Sequence, residues 1–187
     1  MSWWWLVLVV VVIGLFGLYL SMTAGRLDAL HKRIDTAELA LDAHLLRRSS
    51  VALELATSGL LDPAGAIVVA EAAHAARTAA DGDNHDPDHV LLRAQAESAL
   101  SQALEVTLDE EEIEEVCQAD RGADLVEELA AAARRVQLSR RFLNDAVRAC
   151  SQLRGQRMVR TFRLAGHTPW PQSVELDDSV PAALVDL

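Results

Sequence analysis

A chain of 187 residues with 28 acidic and 17 basic side chains carries a net charge of −11, which excludes nonspecific nucleic-acid binding by the molecule as a whole. Half of the residues are apolar, but only 4% are aromatic. An apolar share made of Ala, Leu and Val, with few Gly and Pro, argues for helices packed through Ala–Leu seams and against a sheet, so the expected class is all-α.

Trp3 to Leu20 read WWWLVLVVVVIGLFGLYL, with no charged side chain. As a helix this run is about 27 Å long, and extension through Ser21–Ala24 completes the roughly 30 Å of a bilayer core. Alone in hydrocarbon, such a segment satisfies its backbone only as a helix. Trp3, Trp4 and Trp5 at one end and Tyr19 at the other are placed as interfacial aromatics. A cleaved secretory signal would need a basic leader, a shorter apolar run and a small-x-small cut site, none of which is clean here. Residues 1–24 are therefore expected to be a single-pass anchor. No Lys or Arg precedes it, whereas Arg26, Lys32, Arg33, Arg47 and Arg48 follow. The positive-inside rule then puts a tiny N-terminus outside and the remainder on the cytoplasmic side of the cytoplasmic membrane. There Cys117 and Cys150 are expected as reduced thiols.

The remainder fits one ordinary domain, expected over 25–165, with a loosely ordered acidic tail over 166–187. Leu20, Leu27, Ile34 and Leu41 recur every seven residues, accompanied by Thr23, Leu30, Ala37 and His44. This a/d seam predicts that the anchor helix runs on into a long helix, with Arg48 at the next seam position and Leu45, Ala52 and Ala56 taking over the apolar face. Gly59 and Asp62-Pro63 end it and start a second helix to Ala80, expected to bury Ile67, Val68 and the alanines. A turn-rich loop follows. A third helix is expected from Asp86-Pro87 or Asp88 to Thr107, with Leu92, Ala96, Ala99 and Ala103 as its stripe. A short acidic helix after Asp109 ends at Gly122.

The last long helix shows the clearest spacing: Leu129, Val136, Leu143 and Cys150, with Ala132, Ser139, Ala146 and Leu153. Small residues at half of these positions allow close approach. Together these signals predict a long antiparallel bundle of about four helices with coiled-coil-like seams. Beyond Leu153, Met158, Val159 and Phe162 gather on one side and Arg154, Arg157, Arg160 and Arg163 on the other, predicting a cationic amphipathic helix of about three turns over 154–163 that either lies on anionic lipid or is a solvated basic helix end favoured by the dipole. After Gly166 and Pro169-Trp170-Pro171, the tail offers only weak contacts at Val174, Leu176 and Ala182 to Val185.

The run ELAAAARRVQLSRRFLNDAVR, Glu128–Arg148, resembles the signature of the LemA family, close to ARRFYNDAV, with Ser139, Arg140, Arg141, Phe142, Asn144, Asp145, Ala146 and Val147 matching or nearly matching. LLRRS at Leu45–Ser49 is similar to the family's LKRR segment. Its Pro-Asn-Leu and Tyr-x-x-His-Glu stretches are replaced here by VALELATSGLLDP. The resemblance implies a single-span membrane protein with a long antiparallel helical bundle, and no particular reaction.

Arg47, Arg48, Arg140, Arg141, Asn144 and Asp145 form the family-motif polar patch, read first as solvated surface pairing and second as a grip on a partner or a facing helix, with Arg47 and Arg48 pairing to Asp145 or Glu54. Arg141–Asp145 and Asp145–Arg148 are possible intrahelical pairs. Asp81, Asp83, His85, Asp86, Asp88 and His89 fail the calcium-loop template, so a capping turn is expected and no metal or other cofactor. His44 and His74 are expected to be packed. Cys150 is a buried small residue, and Cys117 stands among Glu114, Glu115 and Asp120, an acidic setting unsuited to a nucleophile. No catalytic set assembles, so no enzyme and no small-molecule substrate is expected. The leading functional expectation is a membrane-tethered scaffold or adaptor whose partners are the bilayer and either a second copy or a partner helix meeting the Leu27/Ile34 seam. The alternatives are an anionic-lipid-sensing surface on the same anchor and, less favoured, a membrane-anchored hydrolase.

Overall fold

The computed structural model describes residues 2–80, 86–162, 164, 166 and 168–185. These residues are all-helical, with no strand among them. The first helix, α1 (Ser2–Thr57), begins with the apolar run and continues unbroken through the heptad positions. Near its N-terminus it is long and apolar enough to cross a membrane, with mean hydropathy 2.5 over the most apolar stretch. Every residue from 3 to 19 is exposed. From Thr23 the pattern reverses: Thr23, Leu27, Ile34 and Leu41 are buried, with Leu20, Leu30, Ala37 and His44 half-buried between them. The helix ends where the Thr57 and Ser58 hydroxyls donate back to Leu53 and Leu55 carbonyls and Gly59 turns left-handed at φ 78°.

Asp62 caps α2 (Pro63–Ala79), its Oδ2 accepting from the backbone N–H groups of Ala64 and Gly65 at 3.0 and 3.2 Å. The expected burial of Ile67 and Val68 is overturned: they are 63% and 49% exposed, and Val69, Ala73 and Ala76 face inward. The face with the smallest side chains wins because α2 approaches α3 closely, Gly65 lying against the Thr107 side chain. His74 is likewise exposed rather than packed. α3 (Pro87–Thr107) opens on Asp86, whose Oδ1 accepts the Asp88 N–H. Its predicted stripe is also corrected. Ala103 is buried and Ala96 half-buried as expected, but Leu92 is 60% exposed and Ala99 exposed, whereas Glu97, Leu100, Ser101 and Leu104 are buried. The helix is rotated by about one residue because Glu97 and Ser101 meet a buried cation. Asp109 caps the acidic α4 (Glu110–Gln118), and Glu112 reaches across to accept the Asp62 N–H at 2.7 Å. Arg121 takes φ 63°, and α5 (Gly122–Gly155) starts at a glycine whose added Cβ would run into the Val116 carbonyl. Leu129, Val136, Leu143 and Cys150 are completely buried along it.

Two compact units result, one of Met1–Thr36 with Leu143–Ser173, the other of Ala37–Phe142 with Val174–Leu187. The boundaries depart from the expected 24 and 165 because the end of α5 and the segment after it cluster with the first part of α1. The larger unit has a continuous core that includes Val51, Leu55, Val69, Leu100, Leu104, Val116, Leu129 and Leu184. Leu184 belongs to α7 (Ala182–Val185), in the tail expected to be loosely ordered. Instead the tail is held by buried Pro181 and Leu184 and by polar contacts from α3 and α5.

Candidate functional site

Gln156 adopts ψ 136°, which stops α5 at Gly155 and leaves α6 (Arg157–Thr161) as a separate short helix. The continuous three-turn cationic helix over 154–163 therefore does not form. Arg154 explains the break. It is 6% exposed; its Nη1 donates to the Pro169 carbonyl at 2.5 Å and its Nη2 to that of Thr168 at 2.7 Å. Its guanidinium also lies 4.6 Å from the centroid of the Trp170 ring, a cation–π contact. Arg154 thus holds the chain after α6 and is withdrawn from the surface set. Arg157 and Arg160 are exposed, Met158 is half-buried and Val159 is buried. Phe162 is 45% exposed and meets Phe16 edge to face, ring centroids 5.3 Å apart at 66°. Arg163 lies outside the described residues.

Within the same unit the Trp3, Trp4, Trp5 and Tyr19 rings are exposed. Thr23, whose hydroxyl donates to the Tyr19 carbonyl at 2.8 Å, is the first buried residue of α1. Leu27 and Ile34, the seam residues expected to meet a partner, are covered at 2% and 5% exposure by this chain itself. Cys150 is buried nearby in sequence to Arg154; burial pushes its thiol up, and the Arg154 charge opposes that push.

The patch residues engage separate partners. Arg48 is 1% exposed, donating to Glu97 Oε2 at 2.9 Å, to the Glu97 carbonyl at 3.1 Å and to Ser101 Oγ at 2.9 Å. The Ser101 hydroxyl passes a hydrogen bond to the Asp177 carbonyl at 2.7 Å, and the Asp177 N–H donates to Ser98 Oγ at 2.9 Å. Arg47 pairs with Glu128, so neither arginine takes the expected Asp145 or Glu54; Glu54 pairs with Arg121 at 3.6 Å. Arg140 grips the tail, its Nε and Nη2 donating to the two Asp178 carboxylate oxygens at 2.7 and 2.9 Å, while Gln137 donates to the Asp178 carbonyl at 2.8 Å. Asp145 pairs with Arg148; Arg141 is exposed and Asn144 half-buried. Glu97, Ser101, Asp177, Asp178 and Trp170 were not singled out by sequence reasoning. The available signal was Arg48 at a seam position, which demands a buried carboxylate.

Asp81, Asp83 and His85 lie outside the described residues, and Asp86 serves as the α3 cap. The described residues hold no cluster of His, Cys, Asp and Glu suited to a metal ion. Comparison with protein-family models, with curated proteins and with solved structures finds no match.

Proposed function

We propose that this protein is a membrane-anchored, non-enzymatic helical scaffold or adaptor of the LemA type. In this reading α1 crosses the bilayer once with its N-terminus outside. The remaining helices form a long antiparallel bundle on the cytoplasmic side and present a surface to partner proteins. One observation carries the reading: a single unbroken helix is exposed and apolar from Trp3 to Tyr19 and buried on heptad spacing from Thr23 onward. Water penalises the first part and the body's packing requires the second, so a bilayer around the first part resolves both demands.

Because Leu27 and Ile34 are covered within the chain, the partner surface is assigned elsewhere. Ile67 and Val68 on α2 and Leu91, Leu92 and Val106 on α3 are the large apolar side chains exposed on these two helices, apart from Val90 at the α3 start. In-cell cross-linking tests this assignment with Ile67→Asp and Leu92→Asp variants. The expected result is loss of cross-linked neighbours, whether a second copy or another protein, with membrane retention unchanged. An unaltered cross-linking pattern overturns the scaffold surface. Turnover by the purified full chain in a hydrolase screen, with or without divalent metal, would favour the enzyme reading instead.

A further inference from the structure

Charge is divided sharply between the two units. Met1–Thr36 with Leu143–Ser173 carry eight Lys and Arg against three Asp and Glu, whereas the other unit carries nine against twenty-five. A molecule of net charge −11 thus concentrates its excess positive charge in the unit that also contains the apolar run. Within that unit, Phe162 stacks edge to face on Phe16. Phe16 lies four residues before Leu20 and eight before Ala24, about 6–12 Å inside the C-terminal end of the anchor along the helix axis. Whatever depth α1 gives Phe16, Phe162 shares it. A helix lying in the interface buries its apolar face by about 5–10 Å, a range that overlaps this depth.

From this contact and charge division we infer that α6 is a second, interfacial membrane contact: Phe162 enters the acyl boundary beside α1, and Arg157 and Arg160 bind the phosphates of anionic lipid headgroups. The inference rests on the anchor reading above and adds the lipid class. Arg157 and Arg160 stand three residues apart on one side of α6, are exposed and make no ion pair with any described residue, so both are available to phosphate. Trp170, ten residues after Arg160 and in contact with Arg154, is 57% exposed, and an indole suits the headgroup level. Arg154 is a positioning residue: its hydrogen bonds to the Thr168 and Pro169 carbonyls and its stack on Trp170 fix the segment that follows α6.

Hydrogen exchange on the full chain in lipid nanodiscs tests the inference, comparing phosphatidylcholine discs with discs that also contain phosphatidylglycerol. Anionic lipid is worth about fivefold in binding for each juxtamembrane arginine, so two are worth about thirtyfold. The α6 amides are expected to exchange about ten- to thirtyfold more slowly in the anionic discs. Added salt and the double variant R157Q/R160Q should each remove the difference, and R157K/R160K should restore most of it. Equal α6 rates in the two discs, in a chain that still co-purifies with both, overturn the lipid contact and leave the anchor standing. A chain that does not co-purify with either disc overturns the anchor, and the inference with it.

Discussion

Arg48 carries a guanidinium into a core because three acceptors meet it there, on Glu97 and Ser101. Removing one side of such a pair strands the other charge, which costs far more than replacing both. Arg48→Ala is therefore expected to destabilise the protein by about 3–5 kcal/mol, while Arg48→Met with Glu97→Leu should recover much of that loss. Urea unfolding of the full chain in nanodiscs measures both; a double variant no better than the single one would contradict the pairing account. Cys150 provides a second residue-scale expectation. Burial raises its thiol above the usual value of about 8.5. A raised group contributes stability in full below that ordinary value and loses it as pH climbs through the raised one. At pH 8, Cys117, only half-buried, should react with iodoacetamide well before Cys150; equal labelling rates would show that the α5 seam opens at Cys150.

Element boundaries follow local chemistry closely. Asp62-Pro63, Asp86-Pro87 and Asp109 each place a side-chain acceptor beside a helix start, and each caps one. The α5 seam was legible for a related reason, since apolar residues at Leu129, Val136, Leu143 and Cys150, with Ala132, Ala146 and Leu153 beside them, admit one buried face. α2 and α3 were misread where that uniqueness fails. α2 is apolar around most of its circumference outside the Glu71/His74/Arg77/Thr78 side, and close approach to α3 selects the Val69/Ala73/Ala76 face. On α3 the inward residues include Glu97 and Ser101, polar by type and buried only because Arg48 lies opposite. Those partners sit about fifty residues apart, beyond any local pattern. The tail shows the same limit: its acidic, sparse composition hides Asp178, whose two carboxylate oxygens meet Arg140. Asp178→Ala should cost about 1–3 kcal/mol and make the tail more sensitive to limited proteolysis than wild type. Unchanged cleavage kinetics would mean that Arg140 does not hold the tail.

For the whole molecule, the described residues are all-helical, and one helix near the N-terminus is long and apolar enough to span a membrane. Two arginines of the polar patch serve this chain internally: Arg48 ties α1 to α3, and Arg140 holds the tail. Alkaline extraction of membranes from cells making the full chain tests the central proposal, that α1 is a bilayer-spanning helix continuous with this body, most directly. The protein should remain in the sedimented membranes, because a buried apolar span does not depend on charge. Its release into the supernatant would contradict the span and leave the exposed run from Trp3 to Tyr19 without a solvent.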